Sequence, residues 1–135
     1  MEKIYIDAEK AVAGRVGSFA AKQILKGNEV IIFNCEKAVI SGNKQDIVEK
    51  IKKKRRMGRG ASLKGPKISK TPEKFMKRII RGMLPWDRQR GRDVFRKLKC
   101  IEGDDICEES KKQAVKMQEK PHGKHFTIKQ ISELI

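Results

Sequence analysis

A chain of 135 residues, 38% hydrophobic and 37% charged, is the length of about one domain and carries a net charge of +16. No apolar run approaches the roughly 20 residues that cross a bilayer, and Met1-Glu2-Lys3-Ile4-Tyr5-Ile6-Asp7 lacks the basic flank and long apolar stretch of a secretory leader, so a cytoplasmic protein is expected. Cys35, Cys100 and Cys107 are too few and too irregularly spaced for a disulfide framework and read as small, partly buried thiols.

In chain order, Lys3 to Ala8 reads as a short strand. Gly14 to Lys26 then puts Val16, Ala20 and Ile24 at intervals of four beside Phe19, which is one face of a helix, and Gly27-Asn28 stops it. Val30-Ile31-Ile32-Phe33 is a continuous apolar run, the pattern of a strand covered on both faces in a parallel sheet. Val39-Ile40 continues either the sheet edge or its connection. A second helix is expected from a cap near Asn43, with Ile47, Val48 and Ile51 inward, running on into Lys52–Arg56. Strands alternating with helices imply βαβ units and an α/β sheet layered by helices.

Residues 57–70 hold three glycines, one proline and little apolar material, and predict a long loop of functional character. Thr71-Pro72-Glu73 is a helix start, with Thr as N-cap and Pro at the first helical position. Beyond it Phe75, Met76, Ile79, Ile80, Met83 and Leu84 form an apolar face opposite Lys74, Lys77, Arg78 and Arg81. Pro85 ends that helix. Another short helix is expected over Gly91 to Leu98, burying Val94, Phe95 and Leu98, and then a strand from Leu98 to Ile101. Residues 102–124 read as irregular connection with at most a short helix. His125-Phe126 suggests a short strand, and Thr127 caps a last helix with Ile128, Ile131, Leu134 and Ile135 inward. The whole chain, 1–135, reads as a single domain with no internal repeat.

The charge is not spread evenly. Residues 1–51 carry 8 basic and 7 acidic groups, residues 52–100 carry 19 and 3, and residues 101–135 carry 6 and 7. A basic segment of this kind self-repels and calls for a polyanion, with nucleic acid ahead of a membrane surface because the helices need their apolar faces for the core. Lys52, Lys53, Lys54, Arg55, Arg56, Arg59, Lys64, Lys67, Lys74, Lys77, Arg78, Arg81, Arg88, Arg90 and Arg92 are the candidate nucleic-acid-binding residues, and charge alone does not distinguish RNA from DNA. Neutralising several phosphates gains affinity through counterion release, and the arginine fork suits phosphate and base edges. A merely solvated surface is disfavoured by the 19-to-3 imbalance between near-neutral flanks. Trp86, after Pro85, either stacks on a base or packs, and packing is the commoner fate; no aromatic platform accompanies it.

Other chemistries find little support. Gly14-Arg15-Val16-Gly17 lies between strand and helix but lacks the G-x-G-x-x-G spacing of a dinucleotide loop, so a tight turn and helix start explain it. Ser41-Gly42-Asn43-Lys44 lacks the P-loop spacing. His122 and His125, with Cys100 and Cys107 upstream, do not match zinc-ligand spacing and read as an exposed pair. Glu73 is accounted for by helix capping, and Asp87 and Asp93 by local pairing with arginines, leaving no acid cluster for a metal-dependent nuclease. Neither a cofactor, a metal, a small-molecule substrate nor catalysis is expected. An enzyme acting on nucleotides or nucleic acid and a DNA-compacting protein remain the competing readings.

Arg81-Gly82-Met83-Leu84-Pro85, Arg90-Gly91-Arg92, Leu98-Lys99 and Gly103 together resemble the signature of the large-subunit ribosomal protein thirteen family. Ile6-Asp7-Ala8, Gly14 to Ser18, Val30 to Asn34 with Glu36, Ile40 to Lys44 and Phe126-Thr127-Ile128 agree with it in order. The spacing after the second helix resembles that of archaeal members of the family. The resemblance implies a three-layer α/β/α fold on a mainly parallel four-stranded sheet. It also implies a structural component of the large subunit that contacts ribosomal RNA and neighbouring ribosomal proteins and takes part in early assembly.

Overall fold

The computed structural model describes residues 2–58, 65–117, 121 and 123–135. Strand β1 (Lys3–Asp7) leads through helix α1 (Ala13–Leu25) to β2 (Glu29–Phe33), a 3-10 turn at Cys35–Lys37 and β3 (Val39–Ser41). Helix α2 spans Lys44–Arg56, α3 Pro72–Arg81 and α4 Gln89–Phe95, followed by β4 (Leu98–Cys100). The last elements are α5 (Glu108–Gln113), β5 (Val115–Lys116), β6 (His125–Thr127) and α6 (Ile128–Leu134).

The main sheet has the order β4-β2-β1-β5 and every pairing in it is parallel. Its register sets Ile6 beside Ile32 and Ile32 beside Cys100, with Val30 beside Leu98. Successive strand side chains alternate between faces, so these five residues point the same way. They are buried in one apolar cluster with Val16, Ala20 and Ile24 of α1 and with Met76 and Ile80 of α3. The β-branched run of β2 was expected to be covered on both faces, and the cover is unequal. Val30 and Ile32 are fully buried and Phe33 nearly so, whereas Ile31 and its neighbour Tyr5 are half-buried and Lys99 is exposed. Lys99 is solvated there and bridges Glu29 at 3.3 Å. Helix α5 packs against β1 yet adds no side chain to the apolar cluster.

Several boundaries differ from the sequence reading for identifiable reasons. The segment 102–124, read as irregular connection with at most a short helix, contains such a helix in α5 but also the strand β5, which supplies the fourth strand through Ile6↔Val115 and Asp7↔Lys116. Both β5 residues are exposed, so their place rests on backbone pairing and leaves no apolar pattern. Val39 and Ile40 do not extend the main sheet; β3 pairs antiparallel with β6 in a separate ribbon. Helix α3 ends at Arg81 rather than near Leu84, because the chain tightens there into Met83 N–H to Ile80 O (2.9 Å) and Leu84 N–H to Arg81 O (3.2 Å) bonds. Met83 is thereby 40% exposed while Leu84 stays buried. Ile128 and Ile131 of α6 and the following Ile135 are buried as expected, but Leu134 faces solvent. Thr127 caps that helix through a reciprocal box: Gln130 N–H donates to Thr127 Oγ1 at 3.3 Å, and Thr127 N–H donates to Gln130 Oε1 at 3.2 Å.

Gly14 and Gly17 are not in a turn. Both lie inside α1, and Gly17 is buried where α1 meets α3. A Cβ there would sit 3.2 Å from Met83 Sδ and 3.5 Å from Ile79 Cγ2. The missing side chain thus lets the two helices close on each other, which accounts for the glycine without any phosphate.

Candidate nucleic-acid interface

Helix α3 organises the basic surface. Pro72 stands at its first turn with Glu73 beside it, favourable to the positive end of the helix dipole. Thr71 occupies the N-cap position but makes no side-chain cap bond; its own N–H donates to Ser69 Oγ at 3.3 Å. Glu73 has a further task, accepting the Glu102 N–H at 3.1 Å and so tying α3 to the end of β4. With Met76 and Ile80 fully buried, the opposite side of the helix turns Lys74, Arg78 and Arg81 to solvent, with Lys77 half-buried.

The chain entering α3 completes a groove along that side. Ile68 is buried, and Arg78 Nη1 donates to the Lys67 carbonyl at 3.4 Å, holding the incoming strap against the helix. The resulting cleft of about 290 Å³ is lined by Lys67, Ser69, Lys74, Lys77, Arg78, Arg81 and Phe95. Five of those residues are cations and none is an acid. A second cleft of about 490 Å³ continues from Arg78 and Arg81 to Gly82, Leu84 and Trp86.

An aromatic and guanidinium stack closes the far end. Arg81 Cζ lies 4.3 Å from the Trp86 ring centroid, and Trp86 meets Phe95 edge to face, with centroids 5.2 Å apart and planes at 89°. Arg92 Nε donates to the Trp86 carbonyl at 3.0 Å. Trp86 is therefore a half-buried packing residue whose ring also borders the groove. Gly91 is buried in the first turn of α4 because a Cβ there would meet the Pro85 carbonyl oxygen and lie 2.6 Å from its carbon. The Arg90-Gly91-Arg92 spacing thus lets α4 close onto Pro85. Phe95 was read only as a core residue; its place on the groove wall goes with its edge-to-face contact with Trp86, for which the local sequence has no signal.

The structure brings Lys67, Lys74, Lys77, Arg78 and Arg81 together and distributes the other sequence candidates more widely. Arg88 is exposed at the N-cap of α4. Arg90 is also exposed, and its Nη2 donates to the Leu25 carbonyl at 3.1 Å, pinning α4 to the end of α1. Lys52, Lys53, Lys54, Arg55 and Arg56 are all exposed on the last turns of α2. Helix α2 packs against α6, and Arg55 Nη1 donates to Ile135 O at 3.2 Å. Lys53 lines a different shallow cleft together with Asp46, Glu49 and Lys50. Arg59 and Lys64 lie outside the described residues, as does His122.

Two smaller expectations change. Asp93 accepts from Gln89 Nε2 at 2.9 Å rather than from an arginine among the described residues. The thiols are not alike: Cys35 and Cys100 are buried, whereas Cys107 is exposed. The neighbouring Cys100 thiol, followed by burial, pushes the Cys35 pKa far up and keeps it a thiol. The hydrogen bond with Ser110 at 3.3 Å lowers that of Cys107. Among the described residues no group of three or more His, Cys, Asp or Glu is arranged to hold a metal ion, and no helix is long and apolar enough to cross a membrane.

Residues 1–106 match the family model described as ribosomal protein L13. The chain is similar to the large ribosomal subunit protein uL13 of Archaeoglobus fulgidus, 44% identical over 98 residues that make up 73% of this chain and 62% of that protein. It is similar also to uL13 of Methanopyrus kandleri, at 45% over 73% of this chain and 60% of that protein. With uL13 of Methanosarcina barkeri the identity is 46% over 73% of this chain and 69% of that protein. The match thus spans less than two thirds of the length of the first two relatives. The family consists of structural ribosomal components and not of enzymes. With its matched segment containing β1 to β4 and the whole α3 groove, the chain belongs to the ribosomal protein L13 family.

Proposed function

We propose that the chain is a large-subunit protein that binds ribosomal RNA through the α3 groove and its continuation past Trp86, and that it supports early subunit assembly without catalysis. The observation that carries this reading is a groove walled by five cations and no acid, on a helix whose other face is locked into the core. Phosphates along an RNA strand would displace counterions at Lys67, Lys74, Lys77 and Arg78. The basic end of α2 and Arg88 would extend the contact, while Arg81, Arg90 and Arg92 hold the groove in shape through their bonds to Trp86 and Leu25. Neighbouring large-subunit proteins are the remaining partners of this reading, and the ribosome in the cytoplasm is its location.

Co-sedimentation of the tagged chain with ribosomal subunits through a gradient, repeated at rising salt, tests it. The expected result is residence in the large subunit with a salt-dependent loss. Migration at the top of the gradient at every salt concentration, or a preference for duplex DNA over structured RNA at matched salt, would overturn the assignment.

A further inference from the structure

A second basic cleft shares no residue with the α3 groove and draws its charges from segments that are neutral in sum. It forms where the turn after β1, the 3-10 turn after β2 and the β3–β6 ribbon meet. Its volume is about 400 Å³, and its wall includes Lys10, Lys37, His125, Phe126, Thr127 and Gln130, with Glu9 also on the lining.

Backbone geometry fixes this juxtaposition. The turn after β1 is closed by the Ala11 N–H to Ala8 O bond (3.2 Å) and by Glu9 N–H to Asp7 Oδ1 (3.0 Å). Lys10 sits within it at φ 56°, the left-handed region that favours glycine or asparagine. Its N–H donates to the Lys37 carbonyl at 3.3 Å, so the two lysines are held side by side at the backbone. His125 is exposed and pairs with Ser41 across the ribbon, and the next residue, Phe126, is half-buried with the Lys44 ammonium 5.4 Å from its ring centroid. Thr127 and Gln130 are engaged with each other in the capping box and serve as wall. Lys10 and His125 make no ion pair among the described residues. Lys37 is within electrostatic reach of Asp104, whose own ion pair is with Lys111 at 3.1 Å.

We infer that this cleft is a second RNA contact, taking a single-stranded sugar-phosphate segment with phosphate at Lys10 and Lys37 and an unpaired base against Phe126 and His125. The inference rests on the RNA-binding reading of the α3 groove and extends it to a surface that no local charge count could find. Cations beside an aromatic ring suit a nucleotide, which offers both a phosphate and a π-face. An acidic peptide would use only the lysines and leave the Phe126 ring without a role. Two separated contacts on one rigid chain would also make binding to a folded RNA bivalent.

The test is the salt dependence of binding of the full chain to a labelled oligouridylate, comparing the wild type with a Lys10→Asn, Lys37→Gln double variant. Asparagine tolerates the left-handed backbone at position 10, and circular dichroism checks the fold. The slope of log K against log salt is expected to fall by about 1.4 for two lost phosphate contacts on a single strand. A 4-thiouridine cross-link to the tryptic peptide 125–129 is expected in the wild type and lost in the variant. Should the double variant misfold, Lys10→Gly alone should lower the slope by about 0.7. An unchanged slope in a folded variant, with the wild type binding normally, overturns this cleft and leaves the α3 groove standing. Loss of polyglutamate binding with an unchanged RNA slope would assign the cleft to an acidic protein segment and overturn it equally. Failure of the wild type to bind RNA at all overturns both readings.

Discussion

Replacing Gly91 with alanine is a small chemical change whose outcome the geometry fixes. The added Cβ would strike the Pro85 carbonyl oxygen, lie 2.6 Å from its carbon and 3.2 Å from Pro85 Cγ. The nearest obstacles are backbone atoms, and the same carbonyl accepts the Arg88 N–H at 3.1 Å, so it has little freedom to turn away. Overpacking of a tight site costs about 1–3 kcal/mol, and an immovable backbone argues for the upper end. Alanine's better helix propensity returns up to about 1 kcal/mol, which leaves a net loss of about 2 kcal/mol. For a chain of this size that is a fall in Tm of about 8 °C. Gly14→Ala is the matched control: Gly14 also lies in a helix, is exposed, and has no atom within 4 Å of the new Cβ. It should be neutral or stabilising by up to about 1 kcal/mol. Urea unfolding of the two variants measures both signs at once. A Gly91→Ala protein as stable as the wild type, or a Gly14→Ala protein destabilised to the same degree, would refute the close approach of α4 to Pro85.

Other expectations follow from the same geometry. Lys74→Gln, Arg78→Gln should lower the salt slope of oligouridylate binding by about 1.4, read by fluorescence anisotropy, since the proposed RNA contact assigns one phosphate to each of these cations. Ile80→Ala should cost about 2–5 kcal/mol in urea unfolding, because this fully buried side chain sits in the cluster joining α3 to the sheet. Trp86 is the sole tryptophan and borders the groove, so its fluorescence should change on RNA binding and saturate with the anisotropy signal. Iodoacetamide should modify Cys107 in the folded chain well before Cys35 or Cys100: the first is exposed with its pKa lowered by Ser110, and the others are buried. Mass spectrometry of the peptides reads the order directly.

The elements that could be read in the sequence are those whose own side chains pack. In α1, β2 and α3 the apolar spacing reports the core, and Thr127 announces α6 through a bond made three residues away. The basic face of α3 was equally legible, because helical periodicity alone separates Lys74, Arg78 and Arg81 from Met76 and Ile80. Features created by distant segments were not. Nothing in Val115-Lys116 marks a strand, since both side chains are exposed and the pairing uses only backbone groups. Phe95 reaches the groove wall through Trp86 rather than through its neighbours in sequence. The lysines of the second cleft lie among acids in a stretch that carries 8 basic and 7 acidic groups, so local counting cancels them while folding gathers them.

The parallel sheet also carries a schedule. Strand β1 can pair with β2 once the chain has grown through Phe33, but its other edge waits for β5, through Ile6↔Val115. For a chain that emerges amino end first at about 5–20 residues per second, that edge stands open for roughly 5–20 s. An unpaired edge is a template for pairing with another strand. The two-residue β5 is thus the closing step of the sheet, and removing its pairing would be felt first as aggregation during synthesis, before any loss of affinity.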